Sequence, residues 1–429
     1  MSVDLPRKLP SLPESLLPRE HNLYRPRHSS RQRTALVAAT LFFCLPALLL
    51  VVGVRPARFE NRDLAEFPSV TDGWSFFTGL NAWADDHIPF RDKAVAAADG
   101  ISRGVFQEPP PVVVRRPQEP GGPIPLPSGD PSLDQPDPTA YVRALEGKDG
   151  WLYLGADVQQ ACEPKIELGE VFTRLNRLRT AVEASGRRFV LVVAPNKSTM
   201  VPEKMPAKYF GKACHQQATE AFWASLTART GALDLRPALR EAATRAGRPI
   251  YTQYDSHWDH DGSVVLARRI VDAVQPGTSA SWKVEPTKVV ERFGDLATLA
   301  GRTETERFQA YDVKPDGVNV RSHILTGDEA EPQRSTQPPT KGVVDTKVGL
   351  LGDSFTYAGT QFLVAGFTDI TVQHMRALVD DPFRVGRMFA ANDVVVVQVA
   401  ERNLTGGINA VLNTKVLEAI ESELVKAPR

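Results

Sequence analysis

Cysteine is scarce in this chain, with only 3 among 429 residues. So few thiols exclude a disulfide-built scaffold, and the lack of a CxxC pair argues against a structural zinc site. An excess of charge is also missing, because 51 basic side chains stand against 51 acidic ones. No strongly basic domain follows along the chain, so we do not expect nucleic acid as a partner.

The remaining composition is that of a globular protein. Hydrophobic residues make up 42% of the chain and charged residues 24%, and no internal repeat is visible. These values exclude a wholly disordered, collagenous or coiled-coil protein. The length is enough for one large domain or two of average size.

One long apolar segment stands near the N-terminus. Residues 34–54, between Arg33 and Arg55, carry no charge over 21 positions. A helix of this length reaches about 31 Å, close to the hydrocarbon thickness of a bilayer. Pro46 is tolerated in a membrane helix because its freed carbonyl can be satisfied locally. The segment predicts a single transmembrane helix.

The charges before this segment predict its orientation. Basic residues outnumber acidic ones over residues 1–33, and short basic flanks stay in the cytoplasm. The basic residues are Arg7, Lys8, Arg19, Arg25, Arg27, Arg31 and Arg33. A cleaved signal peptide is the alternative, but the apolar stretch is too long for one and no A-x-A site follows it. We therefore predict a single-pass membrane protein with a cytoplasmic tail and with residues 55–429 in the periplasm or at the cell surface.

Outside the membrane, two cysteines remain. Cys44 lies in the predicted span, which leaves Cys162 and Cys214 as a pair in an oxidising compartment. The pair predicts one disulfide, although two free buried thiols are the alternative.

The extracytoplasmic part divides into three segments. Residues 55–107 show a helical pattern and are expected to pack on the domain formed by residues 140–429. Residues 108–139 contain eleven prolines, which exclude a regular helix and predict an extended linker or surface loop. Residues 140–429 alternate apolar strand patterns with amphipathic helical ones.

This last segment predicts an α/β domain with a mainly parallel sheet and flanking helices. Apolar runs at 188–194, 348–351 and 393–399 are typical of strands buried on both faces. Helical patterns cover 168–182, 216–229, 262–274 and 410–426. Little can be assigned to the polar stretch 276–342.

A candidate nucleophile follows one of these strands. Functional groups collect at the carboxyl ends of parallel strands, and the strand at 348–351 runs into Gly352-Asp353-Ser354. Ser354 is therefore either a nucleophile on a tight turn or a residue that caps the next helix.

A serine nucleophile needs a base and a group that orients the base. His257 has a carboxylate two residues before it, Asp255, so the two can supply base and orienting partner. His260, flanked by Asp259 and Asp261, is a rival base, although these residues are better explained as capping a helix near residue 262. Metal ligation by Asp255, His257 and His260 is a third interpretation, for which no further ligand cluster is evident.

Six short sequence boxes in this order resemble the AlgJ/AlgX group of SGNH-hydrolase-like proteins. They are Glu60 to Ala65 with Phe67-Pro68, Asp86 to Arg91, Gly147 to Tyr153, Pro195 to Lys197 with Val201 to Glu203, Asp255 to Trp258, and Gly352 to Phe355. The order Asp-His-Ser is the reverse of that in ordinary SGNH hydrolases and matches the permuted arrangement of this group. The resemblance thus implies a permuted SGNH-hydrolase-like fold.

The resemblance also implies an activity, the transfer of acetyl groups onto a polysaccharide such as alginate. Ser354 is then the nucleophile, His257 the base and Asp255 its partner, and Arg402 is an arginine near the site. The group needs no cofactor or metal, and its acetyl donor is relayed by a membrane-bound O-acyltransferase. Trp258 and Tyr357 are candidates for stacking on sugars, although core packing is the favoured interpretation for each.

Two other functions stay open at this stage. A carbohydrate acetylesterase would use the same three residues with water as the acceptor. A non-catalytic scaffold of a cell-envelope polysaccharide assembly would keep the fold and would not need the triad.

Overall fold

The computed structural model describes residues 30–52, 54, 67–69, 76, 80, 83, 84, 87, 141–326 and 331–429. The chain divides into two compact units, Met1–Val95 and Ala96–Arg429. The predicted tail over 1–33 and linker over 108–139 lie outside the described residues, apart from 30–33. The same holds for most of the predicted segment 55–107.

The N-terminal apolar segment forms one helix, α1 (Ser30–Val51). It ends three residues before the predicted end of the span at Val54. Within the described part of the chain, no helix combines the length and apolarity that crossing a bilayer requires. The structure therefore does not support the predicted transmembrane helix over 34–54.

The second unit is built on a six-stranded mixed sheet. The strands are β3 (Arg188–Ala194), β4 (Leu233–Asp234), β7 (Gln333–Thr336), β8 (Val344–Gly352), β9 (Phe367–His374) and β10 (Val394–Ala400). Their order in the sheet is β4-β3-β10-β8-β9-β7. Five strands are parallel, and the edge strand β7 pairs antiparallel with β9. The prediction of a mainly parallel sheet is confirmed, and the antiparallel edge strand makes it mixed.

The central strand β10 shows why the sheet is covered on both faces. All of its residues are buried, and alternate valines belong to different hydrophobic clusters. Val394 and Val396 pack in one cluster, and Val395 and Val397 in the other. An apolar run without alternation is therefore needed here, because neither face of the strand meets water.

Helices cover both faces of the main sheet. They are α2 (Gly155–Cys162), α3 (Leu168–Ala184), α4 (Lys197–Met200), α5 (Lys212–Thr230), α6 (Arg236–Ala246), α7 (His260–Val274), α8 (Asp295–Leu299), α9 (Ser354–Tyr357), α10 (Thr360–Leu363), α11 (Ala377–Asp380), α12 (Pro382–Ala390), α13 (Glu401–Thr405) and α14 (Thr414–Lys426). The four predicted helical segments correspond to α3, α5, α7 and α14. Their ends differ from the predicted ones by a few residues, as is usual when the caps are not recognised.

Two small antiparallel pairs lie outside the main sheet. One joins β1 (Ala144–Glu146) to β2 (Leu152–Leu154), and the other joins β5 (Lys283–Phe293) to β6 (Thr305–Lys314). The second ribbon, α8 and β7 all fall in the stretch 276–342, for which the sequence predicted little.

A disulfide joins two of the helices. Cys162 at the end of α2 is bonded to Cys214 in the first turn of α5, with their Cα atoms 5.6 Å apart. Cys44 is a free cysteine.

Candidate active site

Ser354 stands at the first position of α9, directly after β8. The helix is capped by Asp353, whose Oδ1 accepts a hydrogen bond from the Phe355 amide at 3.0 Å. Its Oδ2 accepts another from the Ala400 amide of β10 at 2.6 Å. Because Asp353 fills the cap, the Ser354 hydroxyl is not needed there. The capping interpretation of Ser354 is therefore wrong.

Glycine is required just before this turn. A Cβ on Gly352 would stand 2.3 Å from Oγ1 of Thr356. That hydroxyl donates a hydrogen bond to Gln398 at 2.7 Å, which ties α9 to β10. The small residue thus lets the turn fold back tightly enough to fix where Ser354 points.

The structure brings together the three residues proposed from the sequence. The Nδ1 atom of His257 lies 2.8 Å from Oδ1 of Asp255. Its Nε2 atom lies 2.8 Å from Oγ of Ser354. An ionised carboxylate can only accept, so Nδ1 carries the proton and Nε2 of the neutral ring accepts the serine O–H. This is the geometry of a nucleophile, a general base and an orienting carboxylate.

Lys197 is hydrogen-bonded to the backbone of the loop that carries His257. This lysine is 1% exposed, and its Nζ donates to the carbonyls of Gln253 and Asp255 at 2.9 and 3.1 Å. The ammonium also lies 5.0 Å from the ring centre of Trp151. Burial lowers the pKa of Lys197 to about 7, against the opposing effect of nearby carboxylates. The lysine thus fixes the backbone on both sides of Tyr254.

Two charged residues near the triad, Asp295 and Arg292, were not identified from the sequence. An oxygen of Asp295 lies 3.6 Å from Nδ1 of His257, and Arg292 lies 3.6 Å from Oδ2 of Asp255. Both come from the stretch 276–342, where the long strand β5 and the short helix α8 meet. The pair Gly294-Asp295 ahead of an apolar turn was the available signal, and it indicates only a helix start.

The electrostatics of the triad favour an imidazolium next to a carboxylate. Burial acts to raise the pKa of Asp255, but the hydrogen bond and charge of His257, with Arg292, hold it well below the usual range. Burial acts to lower the pKa of His257, but the hydrogen bond and charge of Asp255, together with Asp295, raise it above 6.5. The site therefore stabilises the protonated base that would form during attack by Ser354.

Arg402 lies beside the triad and is mostly buried. Its guanidinium is 5.3 Å from the ring centre of Phe355, and Nη1 is 4.0 Å from Oδ1 of Asp157. Its side chain is 13% exposed, and its positive charge acts to lower the pKa of His257. The structure thus places Arg402 near the site as expected, and its contact with a substrate remains a prediction.

Glu401 precedes this arginine and is completely buried. It accepts hydrogen bonds from the Asn196 amide and from Oγ1 of Thr199, each at 2.8 Å. Burial raises its pKa to about 7. Glu401 therefore anchors the start of α4 to the end of β10.

The prediction that Trp258 stacks on a sugar is wrong. Its side chain is 0% exposed and packs edge-on against Tyr251 and Phe355, with ring centres 6.2 and 4.8 Å apart. A tryptophan so enclosed cannot meet a substrate. Tyr357 is partly buried, and its ring packs against His374 at 4.9 Å. Its proposed contact with sugar therefore stays a prediction.

His260 is not the base. Its Nδ1 lies 3.1 Å from the carbonyl of Gln309, and its ring packs between Phe308 and Phe362. Asp259 caps α7 by accepting from the amides of Asp261 and Gly262, which confirms its capping role.

The structure also does not assemble the metal set Asp255, His257 and His260. Among the described residues, the His257 ring instead groups with Asp255 and Asp295, with ligand-type atoms within 4.8 Å of one another. Both ring nitrogens of His257 are already hydrogen-bonded, to Asp255 and Ser354. A metal would have to displace one of these two contacts.

Comparison with known proteins agrees with this picture. Residues 144–365 match the family described as SGNH hydrolase-like domain, acetyltransferase AlgX. The chain is 26% identical over 221 residues to the probable alginate O-acetylase AlgJ of Pseudomonas syringae. The aligned region covers 49% of this chain and 53% of that protein. It thus spans about half the length of this curated relative.

Two solved structures are also similar to part of this chain. The O-acetyltransferase domain of Pseudomonas putida AlgJ matches with a TM-score of 0.42 and 18% identity, over 61% of this chain and 92% of that one. Pseudomonas aeruginosa AlgX matches with a TM-score of 0.44 and 15% identity, over 65% and 68%. The family match alone covers more than half of the chain, so this protein belongs to the family of SGNH-hydrolase-like domains of the AlgX acetyltransferase type.

Proposed function

We propose that this protein is an O-acetyltransferase that moves an acetyl group through Ser354 onto a hydroxyl of an exported or cell-surface polysaccharide. The single observation that carries the proposal is the continuous hydrogen-bonded series from Asp255 through His257 to Ser354, with both links at 2.8 Å. A scaffold would have no need of this alignment.

The reaction follows from the geometry in two halves. Ser354 attacks the carbonyl carbon of an acetyl ester while Nε2 of His257 takes the hydroxyl proton, and Asp255 stabilises the imidazolium. His257 then gives its proton to the leaving oxygen of the donor, which leaves acetyl-Ser354. A sugar hydroxyl loses its proton to His257 and attacks this ester, and the proton returns to Ser354 as the acetylated sugar departs.

The developing oxyanion needs a hydrogen-bond donor. The backbone amide of Ser354 is the first of α9, and the neighbouring Phe355 amide is already used by Asp353. Ser354 N–H is therefore the donor that we assign to the oxyanion, with the N-terminal dipole of the helix behind it. Loss of one such donor typically costs about 3 kcal/mol of transition-state stabilisation.

Water in place of the sugar as the acceptor would give an acetylesterase. The curated relative is named for alginate, so an alginate-like polymer is the first acceptor to test. We also propose that a membrane-bound O-acyltransferase supplies the acetyl group from the other side of the membrane.

We further propose that α1 anchors the protein with its catalytic unit outside the cytoplasm. The side chains of Leu36, Leu41 and Leu48 on this helix are 68, 60 and 58% exposed, a surface that lipid would cover. The disulfide between Cys162 and Cys214 fits an oxidising compartment. The basic residues before α1 favour a cytoplasmic N-terminus.

The test is acetyl transfer by the full chain in detergent, given an activated acetyl ester with and without alginate oligosaccharides, with products read by mass spectrometry. We expect acetylated sugar from the wild type and none from Ser354→Ala. Ser422→Ala is the matched control, because this hydroxyl only donates to the Ala419 carbonyl of its own helix. Free acetate without acetylated sugar would favour the esterase, and equal products from wild type and Ser354→Ala would end the enzymatic assignment.

A further inference from the structure

We propose that Asp295 is a second carboxylate of the site that sets the charge on His257, acting as a positioning residue and not as a catalytic one. The proposal rests on the proposed function for its effect on turnover. Its effect on the histidine itself does not depend on any reaction.

The first support is the place of Asp295 relative to the ring. Its carboxylate lies 3.6 Å from Nδ1 of His257, on the side opposite to Ser354. Asp255 lies at 2.8 Å from the same nitrogen, so two carboxylates converge on one N–H. The side chain of Asp295 is only 15% exposed, and water therefore screens its charge weakly.

The second support is that Asp295 is rigidly held. Its two oxygens accept from the backbone amide and from Oγ of Ser256, each at 2.6 Å. Its helix α8 also points two amides, those of Leu296 and Ala297, at the carbonyl of Tyr254 at 3.0 and 3.2 Å. Asp295 thus clamps the loop between Tyr254 and His257.

Glycine permits this close approach of α8 to the loop. A Cβ on Gly294 would stand 2.2 Å from the carbonyl oxygen of Tyr254. Only a residue without a side chain lets the backbone before Asp295 lie against the backbone before His257. The close contact between the start of α8 and the loop at Tyr254 therefore depends on glycine at position 294.

The two carboxylates do not share the same surroundings. Asp255 has a cation beside it, since Arg292 lies 3.6 Å from its second oxygen. Ser256 is one neutral hydrogen-bonding partner of Asp295, and the charges of Asp295 and the buried Lys197 also interact. Burial and the charge of Asp255 raise the pKa of Asp295, so its ionisation is linked to the charge on the histidine.

Other charged groups also act on this cluster and have to be counted. They are Asp255 from the loop, Arg292 from β5, Glu306 from β6, Lys197 from α4, Asp157 from α2 and Arg402 from α13. The largest effects of neighbouring charges on the pKa of His257 come from Asp255 and Asp295, which raise it, and from Arg402, which lowers it. Removing one carboxylate would leave one negative and one positive neighbour, so we expect the imidazolium to lose much of its stabilisation.

The experiment follows the titration of His257 by NMR in the full chain labelled at histidine, with His257→Gln used to assign the signal. Asp295→Asn is nearly isosteric and removes the charge, and Asp295→Ser is measured beside it in case the asparagine variant does not fold. Ser256→Ala is the matched control, because it removes the Oγ bond to Asp295 and the 3.4 Å contact of this Oγ with Nδ1 of His257, and leaves the carboxylate charge. Thermal unfolding checks that each variant is folded.

We expect either neutral variant to lower the pKa of His257 by about one pH unit, while Ser256→Ala leaves it close to the wild-type value. In turnover, the acidic limb of kcat/KM should move to lower pH by the same amount. An unchanged pKa in the folded Asp295 variants, or an equal shift in Ser256→Ala, would overturn the proposal.

The two proposals fail in different ways. If no acetyl transfer is found but the histidine shifts as expected, the role of Asp295 stands and the proposed function falls. If Ser354→Ala abolishes transfer but Asp295→Asn leaves the histidine unchanged, only the role of Asp295 falls.

Discussion

Each residue around Ser354 has a separate task. Asp353 accepts hydrogen bonds from the Phe355 amide at the start of α9 and from the Ala400 amide at the end of β10. The serine hydroxyl is therefore left to bond to His257. Asp255 holds the ring by Nδ1 and also accepts the backbone amide of His257 at 2.9 Å. The carboxylate therefore fixes both the position and the tautomer of the base.

Removing the charge of Asp255 tests this role. We expect Asp255→Asn to lower kcat by roughly 10³- to 10⁴-fold, because an asparagine can turn its N–H toward Nδ1 and favour the wrong tautomer. KM should change much less. Asp345→Asn, at an exposed position that accepts a hydrogen bond from Thr368, serves as the control. Equal kcat values for the two variants would contradict the assigned role.

Glu401 offers a test through the pH dependence of stability. Its pKa is raised from 4.5 to about 7 in the folded state by burial, so folding takes up a proton between these values. Stability linked to this group is then lost as the pH rises through that window. Glu401→Gln does not titrate and keeps an acceptor for the Asn196 amide.

Denaturant unfolding of both proteins at several pH values measures the effect. We expect the wild type to lose about 3 kcal/mol relative to Glu401→Gln between pH 4.5 and pH 7. If the free energies of unfolding of the two proteins changed with pH in the same way, the buried carboxylate would not titrate as described.

The triad residues could be predicted because the sequence places the base and its partner two residues apart and the serine directly after an apolar strand. Asp295 could not, because the sequence around it indicates only a helix start and its contact with Ser256 forms only in the fold. For Trp258 the favoured interpretation, core packing, is confirmed, although the sequence did not exclude a contact with sugar. Its neighbours in the sequence are polar, and only the fold shows that Tyr251 and Phe355 enclose it.

At the scale of elements, the buried strands were the easiest to predict. β3 and β10 are runs of valine and leucine that no exposed strand would carry. The ribbon of β5 and β6 was missed because most residues of β5 are at least partly exposed and Pro286 interrupts its pairing. This ribbon brings Arg292 to the triad, so the missed element and the missed charged residue have one cause.

The bond between α2 and α5 gives a prediction at this scale. It closes a loop of 52 residues, which constrains the unfolded chain by up to about 4 kcal/mol. We expect Cys162→Ser with Cys214→Ser to lower Tm by roughly 5 °C. Reductant should lower the Tm of the wild type in the same way and leave the double variant unaffected.

Cys44→Ser is the control, because this cysteine is free. It should melt like the wild type, with the same response to reductant. A double variant that also melts like the wild type would show that the bond does not contribute to stability.

At the scale of the whole molecule, the proposed anchor α1 and the candidate active site belong to different units of the chain. The proposed orientation places the tail before α1 in the cytoplasm and the unit with Ser354 outside. We expect deletion of residues 30–54 to move the protein out of the membrane fraction. In spheroplasts, added protease should reach sites after residue 141 and spare an N-terminal tag. Cleavage of the tag from outside would show the opposite orientation. A deletion variant that stays in the membrane fraction would contradict the role of α1 as an anchor.

The most direct test of the central claim is the covalent intermediate. The full chain is mixed briefly with an activated acetyl ester, quenched in acid, digested and examined by mass spectrometry. We expect one acetyl group on Ser354 in the wild type and none at this position in His257→Gln, since the hydroxyl then has no base. Acetylation of Ser354 to the same extent in both proteins, or its absence from the wild type, would contradict the proposed roles of Ser354 and His257.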